Sequence, residues 1–555
     1  MRFVSLIGLG LSALSVSLAL PADNDANTYS YGHGHGHGHG HDHRKNFSLR
    51  VIHTNDVHAH YDQFNRYGSD CTATDISRGT CYGGAARQVT LINKLRAGHP
   101  NTLLFDAGDQ AQGTLFYTID KFNATYKIMN KLKYDAMTIG NHEFDDGPNF
   151  VAKFFNLLNF PVVCANMDTS KNPALAKVVK PYTIIHKYQL GVIGYITNTT
   201  GSISSSGPTV SFTDPAVAVN KYVKILRKKG IKRIIAVSHN GYKEDQDVAA
   251  RTHGLDLIVG GHSHTYLSLN ASEPGAGGLY PTAVKNLDGK STYVLQAKAW
   301  GEYVGYVDIE FKKDGSIAKL SGEPVHLTQD IAQDTAMAAQ VAEWRKPYEA
   351  YGSIVVGNLT TSISNSGCQT GECAIGDLSA DAMLWARNRD TPVDIAIINS
   401  GGIRAGMANG TIRVRDVLLV FPFGNALVDI TLTGAKLRET ITGILAKKNV
   451  ANGLPVTSFL QIAGARISYH LTADGAKALD KLEVKSGNEW VPVDDAKTYK
   501  IVTLDFIARG GDNFLSPAID APALITMEAA LEDYFRAFSP VTAQLDGRIK
   551  DTTAA

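Results

Sequence analysis

Five short stretches in the first half of the chain gather side chains that bind divalent cations: Asp56-Val57-His58, Gly108-Asp109, Gly140-Asn141-His142-Glu143-Phe144-Asp145, His239-Asn240 and Gly260-Gly261-His262-Ser263-His264. Carboxylates, imidazoles and an amide without thiolates suit borderline ions such as zinc, manganese or iron, and do not suit a structural zinc site. The D-x-H and H-x-H spacings put both side chains of a pair on one face of an extended segment, aimed at a common point. Singly, each residue has an ordinary explanation, since aspartates after strands cap helices and histidines settle as hydrogen-bonded polar groups. Five such stretches in series, each after an apolar run, point to one site. Two cations held roughly 3.5 to 4 Å apart supply a nucleophile near neutral pH and neutralise a phosphoryl group under in-line attack. No G-x-S-x-G elbow offers a serine nucleophile in their place.

Delivering these side chains to one point requires strands that end along a common edge. From Phe47 onward, SLRVIHTND, TLLFDAGD, DAMTIGNHEFD, GVIGYI, RIIAVSHNG and LDLIVGGHSH alternate with amphipathic segments such as GGAARQVTLINKLRAG, Tyr117 to Leu132, and Pro215 to Lys229. The alternation predicts an α/β domain over residues 47–332 with functional loops at its strand ends. Residues 333–351, containing TAMAAQVAEWRKPYEAY, have helical spacing and form a connector that Pro347 should kink or end. A second unit of strands and helices then fills residues 352–550. It carries Asn399-Ser400-Gly401-Gly402-Ile403-Arg404, Phe421-Pro422-Phe423-Gly424 and Phe506-Ile507-Ala508-Arg509-Gly510-Gly511-Asp512. Glycines let backbone approach a ligand, an arginine fork suits phosphate, and two aromatics can sandwich a purine.

Lysine plus arginine (54) balance aspartate plus glutamate (53), so no overall field exists to hold a nucleic-acid polymer or an anionic membrane. Residues 1–19 of MRFVSLIGLGLSALSVSLALPAD read as a secretory signal peptide. Residues 20–46 include alternating His33, His35, His37, His39, His41 and His43 and should be disordered, either a loose metal binder or a solvated spacer. No later run is long enough to span a bilayer and the C-terminus lacks a lipid-anchor tail, so the expectation is a secreted, extracellular protein with no transmembrane segment. Nothing in the sequence fixes an oligomeric state. Cys71 and Cys81 are close in sequence, as are Cys368 and Cys373, whereas Cys164 stands in an apolar segment, so two local disulfides and one buried thiol are expected. N-x-S/T sequons stand at Asn46, Asn123, Asn198, Asn270, Asn358 and Asn409.

The blocks DVH, GDQ, GNHEFD, SHNG and GGHSH resemble the calcineurin-like metallophosphoesterases, and the chain from about Ser48 to Lys550 is similar to their ecto-5′-nucleotidase branch. The resemblance implies a four-layer αββα sandwich, a helical connector and a C-terminal α+β domain that binds substrate and rotates about the connector. It implies that Asp56, His58 and His264 hold one divalent ion, that Asn141, His239 and His262 hold another, and that Asp109 bridges them, with zinc the first expectation and manganese compatible. In some members the position of His264 holds an amide side chain. His142 would meet the transferring phosphoryl group, oriented by Asp145, which could also cap the helix beginning near Asp146. Phe423 and Phe506 would stack on the base, Asp512 bind the ribose hydroxyls, and Asn399 and Arg404 meet phosphate. Gln369 departs from the pattern, because animal ecto-enzymes carry a phosphate-binding arginine there. The expected substrate is a small nucleoside 5′-monophosphate. UDP-sugars, nucleoside diphosphates or cyclic nucleotides are the enzymatic alternative, and a non-catalytic metal and nucleotide binder is the alternative of another class.

Overall fold

The computed structural model describes residues 47–553 apart from 67, 520, 522 and 523. The expected signal peptide, the His/Gly-rich segment and the Asn46 sequon lie outside the described residues. The first domain is built on two facing sheets. One orders the strands Ile317–His326, Tyr303–Phe311, Phe47–Thr54, Thr102–Asp106, Ala136–Thr138, Val162–Val163 and Val179–Lys180; the other orders Thr282–Lys285, Ser291–Leu295, Leu257–Val259, Arg233–His239, Leu190–Ile196 and Tyr182–Ile185. The inner strands run parallel. They are almost uniformly apolar because parallel strands are buried on both faces.

One core lies between the sheets, where Val51, Leu103 and Phe105 meet Val192, Ile235 and Leu257. The outer face of the second sheet packs Ile193 and Ile234 against Val219, Val223 and Leu226 of the helix Pro215–Lys228. The outer face of the first sheet packs Ile52, Leu104 and Met137 against helices Ala85–Ala97 and Phe122–Leu132. The result is helix, sheet, sheet, helix, with the metal-type motifs following the C-terminal ends of parallel strands.

The connector helix spans Thr335–Gly352 and continues through Pro347, contrary to an end there. Burial of Val341 and Tyr348 on either side anchors the helix, and the Arg345–Glu349 ion pair (2.7 Å) spans the proline. The expected helical stretch from Tyr117 to Leu132 is two helices, Leu115–Asp120 and Phe122–Leu132, broken at Lys121, whose φ of 52° and ψ of −128° no helix accommodates.

The second domain has a central sheet of Leu427–Thr433, Thr498–Leu504, Ile395–Asn399 and Leu460–Ala463, and a second sheet of Glu489–Pro492, Lys477–Ser486, Ala465–Leu471 and Ile549–Asp551. An ion-pair network ties both domains to the connector. Arg345 meets Asp62 (2.8 Å) and Asp70, and Arg415 of the second domain meets Asp70 (2.7 Å) and Glu349 (2.9 Å). Disulfides join Cys71 to Cys81 and Cys368 to Cys373, and Cys164 is a buried free thiol. Among the described residues no helix is long and apolar enough to cross a membrane.

Candidate metal and substrate site

Two groups of donor atoms face each other at the strand ends, Asp56 with His58 and His264, and Asp109 with His239 and His262; within each group the donor atoms lie within 4.8 Å of one another. In the first, His58 Nε2 is 3.1 Å from His264 Nε2, and His264 Nε2 is 3.3 Å from Asp56 Oδ1. In the second, His239 Nε2 is 3.0 Å from Asp109 Oδ2 and 3.2 Å from Asn141 Oδ1. Asp109 Oδ2 also lies 3.7 Å from His58 Nε2, between the groups. Imidazole nitrogens and carboxylate oxygens gathered this closely, with Asp56, His58, Asp109 and His239 buried, suit a shared cation, and the donor types fit a divalent ion.

The backbone sets up this convergence. His58 Nδ1–H donates to the Ala111 carbonyl (2.8 Å) and His239 Nδ1–H to the Ala107 carbonyl (2.7 Å), which leaves both Nε2 lone pairs facing the centre. Asp56, His58, Asp109, His262 and His264 all have left-handed φ between 48° and 77°. Such conformations cost on the order of 1 kcal/mol or more each for residues with a Cβ, and they cluster where function fixes them.

The residue that sequence reasoning left without a role is Glu143. It is fully buried, and its carboxylate accepts from the backbone N–H of Gln110 (2.8 Å) and Ala111 (3.1 Å) on one oxygen, and of Asp109 (3.1 Å) and Gly140 (2.6 Å) on the other. One side chain thus staples the loop carrying Asp109 to the loop carrying Asn141. Burial and the nearby Asp109 carboxylate push the Glu143 pKa up to about 7, while four inward N–H donors favour the charged form. Asp106 works alongside it, accepting from Thr54 Oγ1 (2.6 Å), Gln110 Nε2 (2.8 Å) and the Gly108 N–H (3.1 Å). The only sequence signal for Glu143 is an acidic residue set inside the glycine and aromatic context of GNHEFD.

His142 Nδ1 is 2.7 Å from Asp145 Oδ2. Burial disfavours the charged imidazole, but the Asp145 and Asp109 carboxylates outweigh it and raise the His142 pKa. Asp145 does not cap the following helix, which spans Pro148–Phe155 and has Gly147 at its N-cap.

The second domain closes over this floor, leaving a cleft of about 950 Å³ lined by Asn141 and His142 below and Asn399, Arg404, Phe423 and Phe506 above. The Arg404 guanidinium lies 3.5 Å from His58 Nε2 and over the Phe423 ring, which itself stacks on His142 at 5.2 Å. Phe506 sits over Gly511, where a Cβ would come within 2.5 Å of the ring. Asp512 accepts from Asn399 Nδ2 (2.6 Å) and Thr457 Oγ1 (2.7 Å). Gln369 lines the same cleft, with Oε1 near Phe459 N (3.3 Å) and Ser458 Oγ (3.4 Å). A third carboxylate group, Glu372, Asp377 and Asp546, lies away from the cleft, and Arg548 supplies its positive charge from within.

This architecture recurs in known proteins. Residues 49–266 match the calcineurin-like phosphoesterase family, and residues 355–519 match the 5′-nucleotidase C-terminal domain. The chain is 34% identical over 492 residues to the snake venom 5′-nucleotidase of Gloydius brevicauda, covering 84% of this chain and 82% of the relative. It is 32% identical over 491 residues to the human 5′-nucleotidase, covering 84% of each. The crystal structure of the 5′-nucleotidase precursor from Thermus thermophilus superposes with a TM-score of 0.83 at 35% identity, covering 92% of this chain and 100% of that one. With both domain types in order and both donor groups assembled, the chain belongs to the 5′-nucleotidase family and is a metal-dependent phosphoester hydrolase of calcineurin-like fold.

Proposed function

We propose that this protein is a secreted 5′-nucleotidase that hydrolyses nucleoside 5′-monophosphates to nucleoside and phosphate. The observation that carries the reading is that Asp109 lies between two donor groups on the floor of a cleft whose roof brings Arg404, Phe423, Phe506 and Asp512 over them. Asp56, His58 and His264 would hold one divalent cation and Asn141, His239 and His262 the other, with Asp109 shared and zinc the preferred ion. When bound, these cations supply Lewis-acid stabilisation of the phosphoryl oxygens and acidify the attacking water.

Arg404 adds a positive charge at the phosphate end. Its approach to His58 supports that role, and with Gln369 neutral it is the guanidinium on which the phosphate leans. Water attacks phosphorus in line, the bond from phosphorus to the 5′-oxygen breaks, and His142, oriented by Asp145, delivers a proton to the departing alkoxide. Phe423 and Phe506 stack on the base. Asp512 receives the ribose hydroxyls, and Asn399, held by its hydrogen bond to Asp512, meets the phosphate with Arg404.

We assign residues 47–332 to catalysis, 333–351 to the connector and 352–550 to substrate binding. Secretion is supported by the venom relatives, by the two disulfides, and by the exposure of Asn123, Asn270, Asn358 and Asn409, which suits glycosylation, whereas Asn198 lines the cleft.

Phosphate release from AMP, ATP, UDP-glucose and bis-p-nitrophenyl phosphate, with zinc or manganese supplied in turn, tests the reading. AMP is expected to be the best substrate by kcat/KM. A preference for the diester or for UDP-glucose would replace it with the phosphodiesterase or pyrophosphatase alternative.

A further inference from the structure

Among the described residues lining the cleft, Asn399 Oδ1 and Glu528 Oε2 are buried side-chain oxygens without a hydrogen-bond partner. Asn399 is already engaged through its amide with Asp512. Glu528 has no role in anything described so far.

Its position is fixed by backbone. Thr526 caps the helix Met527–Phe538, so Glu528 lies in the first helical turn. The segment leading into that helix is tied to the residues after Phe423, through an antiparallel bridge between Ala426 and Thr526 and a bond from the Met527 N–H to the Asn425 carbonyl (2.9 Å). Ala426 is tied in turn to the segment carrying Phe506. Its N–H donates to Asp505 Oδ1 (3.2 Å), and its carbonyl accepts from the Asp505 N–H (2.8 Å). One strap of backbone therefore holds Phe423, Phe506 and Glu528 at the same corner of the cleft. Gly424 separates Phe423 from the carboxylate without a side chain of its own, and a Cβ there would lie 4.0 Å from Glu528 Oε1.

A negative charge in the first turn of a helix is favoured by the helix dipole, which accounts for a carboxylate at this point. The dipole does not account for an oxygen buried in the cleft lining without a donor, which is costly unless something supplies one. A carboxylate only accepts hydrogen bonds, so the missing partner is a donor. Burial raises the Glu528 pKa even though its own backbone N–H and the Thr526 hydroxyl lean on the carboxyl group, and neither satisfies the buried Oε2.

We propose that Glu528 reads the edge of the nucleobase by accepting a hydrogen bond from an exocyclic amino group, so that the enzyme prefers amino-bearing bases to their oxo counterparts. The inference rests on the nucleotidase reading and deepens it. The 6-amino group of adenine and the 4-amino group of cytosine each present a donor to the Glu528 carboxylate, as the cytosine amino group does to carboxylates that read bases in DNA. Hypoxanthine and uracil present a carbonyl oxygen at the same ring positions, lone pair against lone pair. A site built to pair a substrate N–H discriminates more strongly than an apolar pocket does, because the wrong substrate leaves its buried group unpaired.

The metal-loaded full chain is assayed with AMP, IMP, CMP and UMP, which form two pairs that exchange an exocyclic amino group for a carbonyl and protonate the adjacent ring nitrogen. For the wild type, kcat/KM is expected to favour AMP over IMP, and CMP over UMP, by about 10-fold or more, the value of a hydrogen bond to a charged acceptor. Glu528→Ala is expected to bring both ratios to within about twofold of one. Glu528→Gln keeps an acceptor and gains a donor for the oxo bases, so it should narrow both ratios, and it carries the test if the alanine variant does not fold. Wild-type ratios near one, or ratios unchanged in both variants whatever the loss of absolute rate, would overturn the proposal and leave Glu528 as a helix-terminal charge. Failure of all four nucleotides to release phosphate would instead overturn the nucleotidase reading on which it stands.

Discussion

Replacing Glu143 with glutamine changes one oxygen to an amide nitrogen and leaves the volume almost untouched. Each Glu143 oxygen accepts two backbone N–H groups, so whichever oxygen is lost, two donors in a fully buried pocket face an N–H₂ group. A buried donor left without its acceptor costs about 1–3 kcal/mol, so the pair costs about 2–6 kcal/mol. That is a large part of the roughly 5–15 kcal/mol that holds a domain folded. The loss is local to the loops that aim Asp109 and Asn141, so it should register first as looser metal binding, in the range of about 10 to 100-fold typical of outer-shell supports. Competition with a chromophoric chelator measures zinc affinity, and scanning fluorimetry in excess chelator measures the change in melting temperature. A Glu143→Gln variant that binds zinc within twofold of the wild type and melts within about 1 °C of it would refute the stapling role.

Phe506→Ala should lower kcat/KM for AMP by about 5 to 150-fold, the loss of one stacking contact of about 1–3 kcal/mol, and leave p-nitrophenyl phosphate within twofold; equal losses on both substrates would make the ring structural. Gln369→Arg should lower KM for AMP more than it changes kcat, because Gln369 already lines the cleft, and an unchanged KM would show that the phosphate does not reach that edge. Asp377 has both oxygens buried without hydrogen-bond partners, and burial pushes its pKa up to about 8. A folded pKa above the unfolded value stabilises the neutral form, so its contribution is complete below about pH 4 and is lost as pH rises through about 8. Asp377→Asn should therefore come nearest the wild-type melting temperature at about pH 4 and exceed it by a growing margin as pH rises to about 9, and parallel pH curves for the two proteins would contradict this.

The donor residues were legible in the sequence because parallel strands are continuous apolar runs, and each run stops where a polar cluster begins. His58 and His264, 206 residues apart, meet at 3.1 Å only because their strands end at the same edge of the sandwich. The left-handed φ values at Asp56, His58, Asp109, His262 and His264 left no mark in residue type, since the site fixes them and not glycine preference. Propensity read one helix from Tyr117 to Leu132, and tertiary context broke it at Lys121. Asp145 carried two local readings at the sequence level, and the 2.7 Å contact with His142 selects the one in which it holds the imidazole. Glu143 was illegible because its partners are backbone N–H groups, three of them more than thirty residues away, which no pattern of side chains announces. The pairing of Asn399 with Asp512, 113 residues apart, is long-range in the same way.

The proposed site holds two cations that share Asp109, and elemental analysis of the wild type and Asp109→Ala, coupled to AMP turnover on the same samples, measures occupancy and activity together. Chelator-stripped wild-type protein should be inactive, and on reconstitution it should take up two divalent ions per chain as activity returns. Asp109→Ala should bind fewer than two and show no turnover while keeping the wild-type circular dichroism spectrum. Full AMP hydrolysis by the stripped protein, or by Asp109→Ala, would contradict the account.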